Sequence, residues 1–252
     1  MQLALLIDSE NVSHKYIKII FDELANHGIA TYRRIYGDWT SPLNTSWKEV
    51  LLDHSITPIQ QYTYTSGKNA SDSALIIDAM DILYTGRVDG FCLVSSDSDF
   101  TRLASRLRES GKNVIGMGES KTPNAFISAC NIFKYLDILY EEDSKVHVAK
   151  EDRKSYKPTK RTQGEKAPEP HTKLNAIRRA LRSIVQEGSD EDGWIFSADV
   201  GNQLAKRFPD FDVRNYGYKK LTLFVESLGE FDLNRIYDDS SRTQQVFIRL
   251  KH

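Results

Sequence analysis

The residues of this chain best suited to chemistry are acidic. Asp8 and Asn11 stand in the run Ile7-Asp8-Ser9-Glu10-Asn11, Asp72 follows Ala70-Ser71, and Asp97 and Asp99 stand in Asp97-Ser98-Asp99-Phe100. Carboxylates gathered at one point repel each other unless a divalent cation neutralises them. Hard oxygen ligands select Mg2+ or Mn2+ over zinc. Such an ion lowers the pKa of a bound water and steadies the charge of an in-line phosphoryl displacement. The six histidines are scattered, with no pair at helical spacing, so a zinc site has no ligand frame. Each acid also has a plainer role open to it. Asp99 is a candidate N-cap for a helix opening at Phe100, and Asp72 a first-turn charge that complements a helix dipole. Asp78 and Asp81 lie later on the same helix, turned away from Asp72 at about 100° per residue, and read as a solvated face.

The acids need elements to hold them. Apolar runs at 3–7, 31–36, 57–62, 91–94 and 113–117 read as buried strands. Helical periodicity fills the intervals, over 16–27, 46–54, 70–84, 100–110 and 124–130. Gly28 and Gly111 are expected as left-handed residues closing two of these helices. Strict alternation of this kind predicts an α/β fold with a mostly parallel sheet and helices on both faces. Sites in such folds lie beyond the carboxyl ends of the strands, near the point where strand order reverses. Asp8 ends the first predicted strand, and Asp97 and Asp99 follow the fourth. Asp72 opens a helix after the loop 66–69. One sheet edge thus collects them all.

Charge divides the chain. Over 252 residues, 34 Lys and Arg face 35 Asp and Glu, a net of -1. Residues 1–143 carry 13 basic against 19 acidic groups (-6), residues 144–170 carry 8 against 4 (+4), and residues 171–252 carry 13 against 12 (+1). The first part predicts a domain over 1–143. An acidic domain holds nucleic acid poorly unless its carboxylates surround metal ions. The stretch 144–170 has almost no large apolar residues and closes on Ala167-Pro168-Glu169-Pro170. It is expected to be a flexible basic linker, with phosphate contact as a second role. No apolar run approaches the roughly 18 residues of a membrane span, so no membrane association is expected. Cys92 and Cys130 make neither a disulfide framework nor a zinc site, and the expected setting is reduced and cytoplasmic.

Residues 171–252 predict a smaller domain. A helix over 174–185 precedes one capped by Ser197 and stopped by Pro209, then a third over 214–228. Strands at 231–236 and 245–250 are expected to pair around a turn at 238–241. Helices followed by a hairpin predict a winged helix. Arg214, Tyr216, Tyr218, Lys219 and Lys220 combine cationic groups with aromatic faces, suited to phosphate contact and base stacking. Tyr216, with Leu221 and Phe224, is equally a candidate core residue, and Trp194 reads as packing.

Other site types fail on spacing. Ser120-Lys121-Thr122 lacks the glycine that a Walker loop places before its lysine, and Ile115 holds the first glycine position. Gly116-Met117-Gly118 lacks the third glycine of a dinucleotide fingerprint. A phosphohydrolase with Asp8 as nucleophile wants aspartate where Glu10 stands.

The stretches LLIDSENV, SGKNASDSALIIDAMDILY, LVSSDSDFTRLASRLRESGKNVIGMG and TPNAFISACNIFKYLDIL resemble the NYN family of PIN-like nucleases, and within it the bacterial LabA-like branch. They cover most of residues 1–140. The resemblance implies a Rossmannoid sheet and a metal-dependent endoribonuclease using Mg2+ or Mn2+. It implies Asp8, Asp72, Asp97 and Asp99 as ligands, assisted by Asn11, with Lys68 as a phosphate contact. The family often has Gly where Ser96 stands and Asp where Asn131 stands; the second departure implies one outer carboxylate fewer. The run from Val200 through RFPDF and RNYGYKKL resembles the LOTUS (OST-HTH) domain over roughly 171–251. It implies binding of single-stranded or structured RNA, and in some proteins of protein partners. A non-catalytic RNA-binding or protein-interaction adaptor on the same folds is the alternative. A DNA-binding regulator is third, disfavoured by the near-neutral charge of residues 171–252.

Overall fold

The structure, a computed structural model, describes residues 1–62, 70–151, 169–238 and 243–251. It divides into two compact units, Met1–Glu169 and Pro170–His252. In the first, strands and helices alternate: β1 (Gln2–Asp8), α1 (Ile17–Ala25), β2 (Ile29–Gly37), α2 (Thr45–Leu51), β3 (Thr57–Gln60) and α3 (Ala70–Thr85). Then come β4 (Gly90–Val94), α4 (Thr101–Glu109), β5 (Asn113–Gly118), α5 (Asn124–Ala129), β6 (Ile132–Tyr135) and α6 (Leu136–Glu151). The strands form one parallel sheet in the order β3-β2-β1-β4-β5-β6.

The centre of this sheet is buried on both faces, which is why β1 and β4 read as continuous apolar runs rather than alternating ones. Ala4, Leu6, Leu93 and Phe91 point into one core with Leu75, Ala79 and Ile82 of α3 and Leu103 and Leu107 of α4. Leu3, Leu5, Ile7, Cys92 and Val94 point into the other with Ile20 and Leu24 of α1 and Leu139 of α6. The chain builds outward from β1 to β3, then crosses to β4 and builds the other way. The order therefore reverses between β1 and β4, where Asp8 and Asp97 emerge.

Three expectations are corrected. The sheet has a sixth strand, β6, which residues 132–135 form against β5 directly after α5; four residues with Lys134 among them give too short an apolar signal. Gly28 is not left-handed, whereas Gly111 is, at φ 74°. Gly28 is needed for space instead: a Cβ there would sit 2.2 Å from the Met1 carbonyl oxygen. Residues 144–151 of the expected linker belong to α6; the rest of it up to residue 168 lies outside the described residues.

The second unit contains α7 (Leu174–Gly188), β7 (Ile195–Phe196), α8 (Ser197–Arg207), α9 (Leu221–Ser227), β8 (Phe231–Asp238) and β9 (Thr243–Leu250). Its antiparallel sheet runs β7-β9-β8. Ile177, Leu181, Val200, Leu204, Phe224 and Ile248 make its core. The third helix is shorter than expected. Residues 213–216 form a 3-10 turn capped by Asp212, Gly217 then takes a left-handed φ of 80°, and only Leu221 restarts the helix. Ser197 is the first helical residue of α8, not its cap; Phe196 holds the cap position without a side-chain bond. The expected turn at 238–241 lies mostly outside the described residues.

Candidate metal centre

Asp72, Asp97 and Asp99 each bring a carboxylate oxygen within 4.8 Å of the others. Two segments deliver them: the first turn of α3 carries Asp72, and the loop leaving β4 carries Asp97 and Asp99. Asp97 doubles as the N-cap of the 3-10 turn Ser98–Phe100, its Oδ1 accepting from the Asp99 amide at 2.9 Å. The plainer role and the chemical one coexist there, because a carboxylate has about four acceptor sites and the cap uses one. Asp99 is exposed and is not the helix cap considered from the sequence: Asp97 caps the 3-10 turn, and Phe100 holds the cap position of α4 without a side-chain bond. Asp72 is 8% exposed. Burial, then the charges of Asp8, Asp97, Glu10 and Asp99, pushes its carboxyl up to about 7. Such a group is only partly ionised near neutrality unless a cation offsets its neighbours.

Asp8 is close enough to act on Asp72 but is not part of the cluster. It is 1% exposed, at the very end of β1. Its Oδ1 accepts from the amides of Glu10 at 3.0 Å and Asn11 at 3.3 Å. Its Oδ2 accepts from Asn11 Nδ2 at 2.8 Å and from the Ser95 hydroxyl at 2.7 Å. These four donors occupy the carboxylate's acceptor sites. Burial pushes the Asp8 carboxyl upward while the bonds from Ser95 and Asn11 pull the other way. Asn11 thus bonds this acid through both its backbone and its side-chain amide.

Sequence reasoning missed two residues here. Ser95 is 1% exposed and links the acids, donating to Asp8 while accepting from the Asp97 amide at 3.0 Å. A hydroxyl immediately after the apolar run 91–94 was its only signal. Gly118 at the end of β5 admits this turn: a Cβ there would lie 2.5 Å from the Ser95 carbonyl oxygen. Glu10 is the second. Its Oε1 accepts from the Ser71 hydroxyl at 2.6 Å, which ties the end of β1 to the start of α3 beside Asp72.

The two departures noted from sequence now have places. Ser96 accepts from the Glu119 amide at 2.9 Å. Asn131 Oδ1 accepts from the Val114 amide, and its own amide donates to the Val114 carbonyl. Val114 lies at the amino end of β5, so Asn131 stands at the edge opposite the acids and removes no outer carboxylate. Asp78 is not on a solvated face. It pairs with Arg34 and accepts from the Tyr36 hydroxyl, whereas Asp81 is exposed as expected. Lys68 lies outside the described residues.

In the second unit the five expected contact residues separate. Arg214 is held by Asp212, at 3.0 Å from Nε and 2.7 Å from Nη2. Tyr216 packs on Phe211 and Phe224 and donates its hydroxyl to the Thr172 carbonyl at 2.7 Å, its ring half-buried against the core. Tyr218 sets its edge against Phe224 and is half-buried. Lys219 and Lys220 are exposed. Trp194 packs under the Arg249 guanidinium, 4.5 Å from its ring centre.

The donors at the acidic site are all oxygen and all hard, which fits Mg2+ or Mn2+ and not a thiolate- or imidazole-loving ion. Among the described residues no helix is long and apolar enough to cross a membrane. The NYN domain family matches residues 2–138, and the OST-HTH/LOTUS domain family matches residues 172–240. Two solved structures are similar in part. One is the crystal structure of a protein of unknown function from Vibrio parahaemolyticus RIMD 2210633, 20% identical, covering 54% of this chain and 93% of that one with a TM-score of 0.45. The other is the solution structure of an uncharacterized protein from Nitrosomonas europaea, 30% identical, covering 38% of this chain and 93% of that one with a TM-score of 0.28. No curated protein matches the chain.

Proposed function

The chain belongs to the NYN family, a branch of the PIN-like nuclease superfamily, and carries a C-terminal OST-HTH/LOTUS domain; on that premise we propose that it is a divalent-metal-dependent endoribonuclease whose terminal domain captures RNA. The observation that supports this most is the convergence of Asp72, Asp97 and Asp99 beyond the carboxyl ends of the strands. Three acids so close repel one another as anions, and one of them is raised to about 7. They suit a cation better than they suit each other.

Asp72, Asp97 and Asp99 would hold the ion. Mg2+ or Mn2+ bound there supplies a water of lowered pKa and positive charge to offset the phosphodiester oxygens. Asp8, the fourth ligand that the resemblance implies, adds its charge and is tied through Ser95 to the frame on which Asp97 sits. Asp97 keeps its loop in place through the Asp99 amide and so aims both carboxylates at once. Lys68, in the loop before α3, is a proposed phosphate contact. Lys219 and Lys220 are two of the exposed cations of the proposed winged helix, and we assign phosphate contact to them. The boundaries 1–143 and 171–252 remain our assignment for the catalytic and capture domains, and the cytoplasm our assignment for its setting.

Labelled single-stranded RNA tests this reading. Incubated with Mn2+ or Mg2+, the purified protein should shorten it, and a chelator should stop the reaction. Binding without cleavage under every metal condition would favour the adaptor instead.

A further inference from the structure

We propose that Arg34, Tyr36 and Asp78 form a positioning clamp that sets where α3 places Asp72, and thereby the metal affinity of the acidic site. The inference rests on the metal-dependent reading given above.

Helix α3 approaches the sheet through Leu75, Ala79, Ile82 and Leu83, which pack on the core that also contains Ala4, Leu6 and Tyr36. Apolar contact of this kind is non-directional. It holds the helix down but resists sliding or rolling only weakly, least of all where the contact residue is as small as Ala79. Direction comes from Asp78. One oxygen of its carboxylate pairs with Arg34 and the other accepts from the Tyr36 hydroxyl. Both partners sit on β2, and both are well restrained. Tyr36 is fully buried, and the Arg34 guanidinium also lies over the Tyr32 ring, 5.2 Å from its centre.

The clamp is registered to the site through the sheet. Tyr36 is the parallel-sheet neighbour of Asp8, and its carbonyl accepts from the Ser9 amide at 3.1 Å. A continuous path therefore runs from Asp8 across the backbone pairing to Tyr36, through its hydroxyl to Asp78, and along α3 to Asp72. Six residues separate Asp78 from Asp72, about 9 Å of helix axis and a net rotation of about 240°. The two carboxylates thus face different ways: one reads the position of β2 and the other meets Asp97 and Asp99. A helix is stiff over this length, so a slip at Asp78 appears almost undiminished at Asp72. Displacements of about 1 Å at a catalytic group cost about 100-fold, and loss of an outer partner lowers metal affinity by about 10- to 100-fold.

The test uses the full-length protein and Mn2+ alone, with no RNA, its binding followed by the electron paramagnetic signal of free Mn2+. Tyr36→Phe removes one hydroxyl and no charge, and is expected to raise the Mn2+ dissociation constant about tenfold, the low end of the range for groups bonded directly to metal ligands. Asp78→Asn should do the same or more. Asp81→Asn, an exposed acid on the same helix, changes charge equally and should leave affinity within about twofold. A Tyr36→Phe protein that melts lower but binds Mn2+ like the parent would show a merely structural bond and overturn the clamp. Equal weakening by Asp81→Asn and Asp78→Asn would assign the effect to charge alone and also overturn it. A parent that binds no Mn2+ would fail the metal reading itself, and the clamp with it.

Discussion

Ser95 donates its hydroxyl to Asp8 Oδ2 at 2.7 Å and accepts, through the same oxygen, from the Asp97 amide at 3.0 Å. One buried hydroxyl thus fixes two acids delivered by neighbouring strands. Ser95→Ala should leave both partners short of a bond in a nearly dry setting. A loss of about 1–3 kcal/mol is expected, read as a lower denaturant midpoint at unchanged slope. Unchanged stability would mean that water replaces the hydroxyl at no cost.

Asp72 makes the metal-free protein sensitive to pH. Its folded carboxyl is raised to about 7, well above that of an unfolded aspartate near 3.9. The folded state therefore binds more protons between these values, and its stability falls as pH rises through about 7. The metal-free melting temperature should be higher at pH 5 than at pH 8. Added Mn2+ should reverse the order, because it binds the ionised form. Apparent Mn2+ affinity should climb as pH approaches 7 from below. A flat metal-free melting profile from pH 5 to 8 would contradict the crowding of these acids.

Tyr216 and Lys219 separate packing from capture in the terminal domain. Tyr216→Phe removes the bond to the Thr172 carbonyl and should cost about 1 kcal/mol while leaving RNA affinity unchanged. Lys219→Ala with Lys220→Ala should do the reverse, lowering RNA affinity and flattening its salt dependence. The log–log slope on single strands should drop by roughly 0.7 for each phosphate that the lysines no longer neutralise. RNA affinity that falls with Tyr216→Phe and ignores the lysines would exchange the two roles.

The Arg178 and Arg182 side chains both reach Glu230, joining α7 to the residue before β8. Arg182 is more than half exposed, so the pairing is screened by solvent. Glu230→Gln should change stability by no more than about 1 kcal/mol, and less at high salt. A larger loss would show that the pair fixes the packing of α7.

The centre of the sheet was legible because strands buried on both faces leave unbroken apolar runs, and Asp8 and Asp97 were legible because they follow those runs, whereas Asp72 showed only as a first-turn charge of a helix. Residues 132–135 escaped notice for lack of length. The interruption at Gly217 escaped because Tyr216 and Leu221 preserve an apolar spacing that a helix would also give. Asp78 and Asp81 look alike in sequence; only the folded sheet places Arg34 and Tyr36 opposite one and solvent opposite the other. Tyr216 had two roles open in the sequence for a related reason. An aromatic ring beside lysines has the composition of a stacking platform, and nothing local reveals that Phe211, Phe224 and the Thr172 carbonyl will enclose it.

Asp97→Asn offers the most direct measurement of the central claim, because asparagine caps a helix about as well as aspartate and should keep the bond from the Asp99 amide while removing one ligand charge. Cleavage of a labelled single-stranded RNA should be followed over a Mn2+ series for parent and variant, with their melting curves compared in parallel. The account predicts chelator-sensitive cleavage by the parent, and a variant that melts like it yet leaves the RNA intact at every Mn2+ concentration. Full-rate cleavage by the variant, or parent cleavage that persists undiminished in chelator, would contradict it.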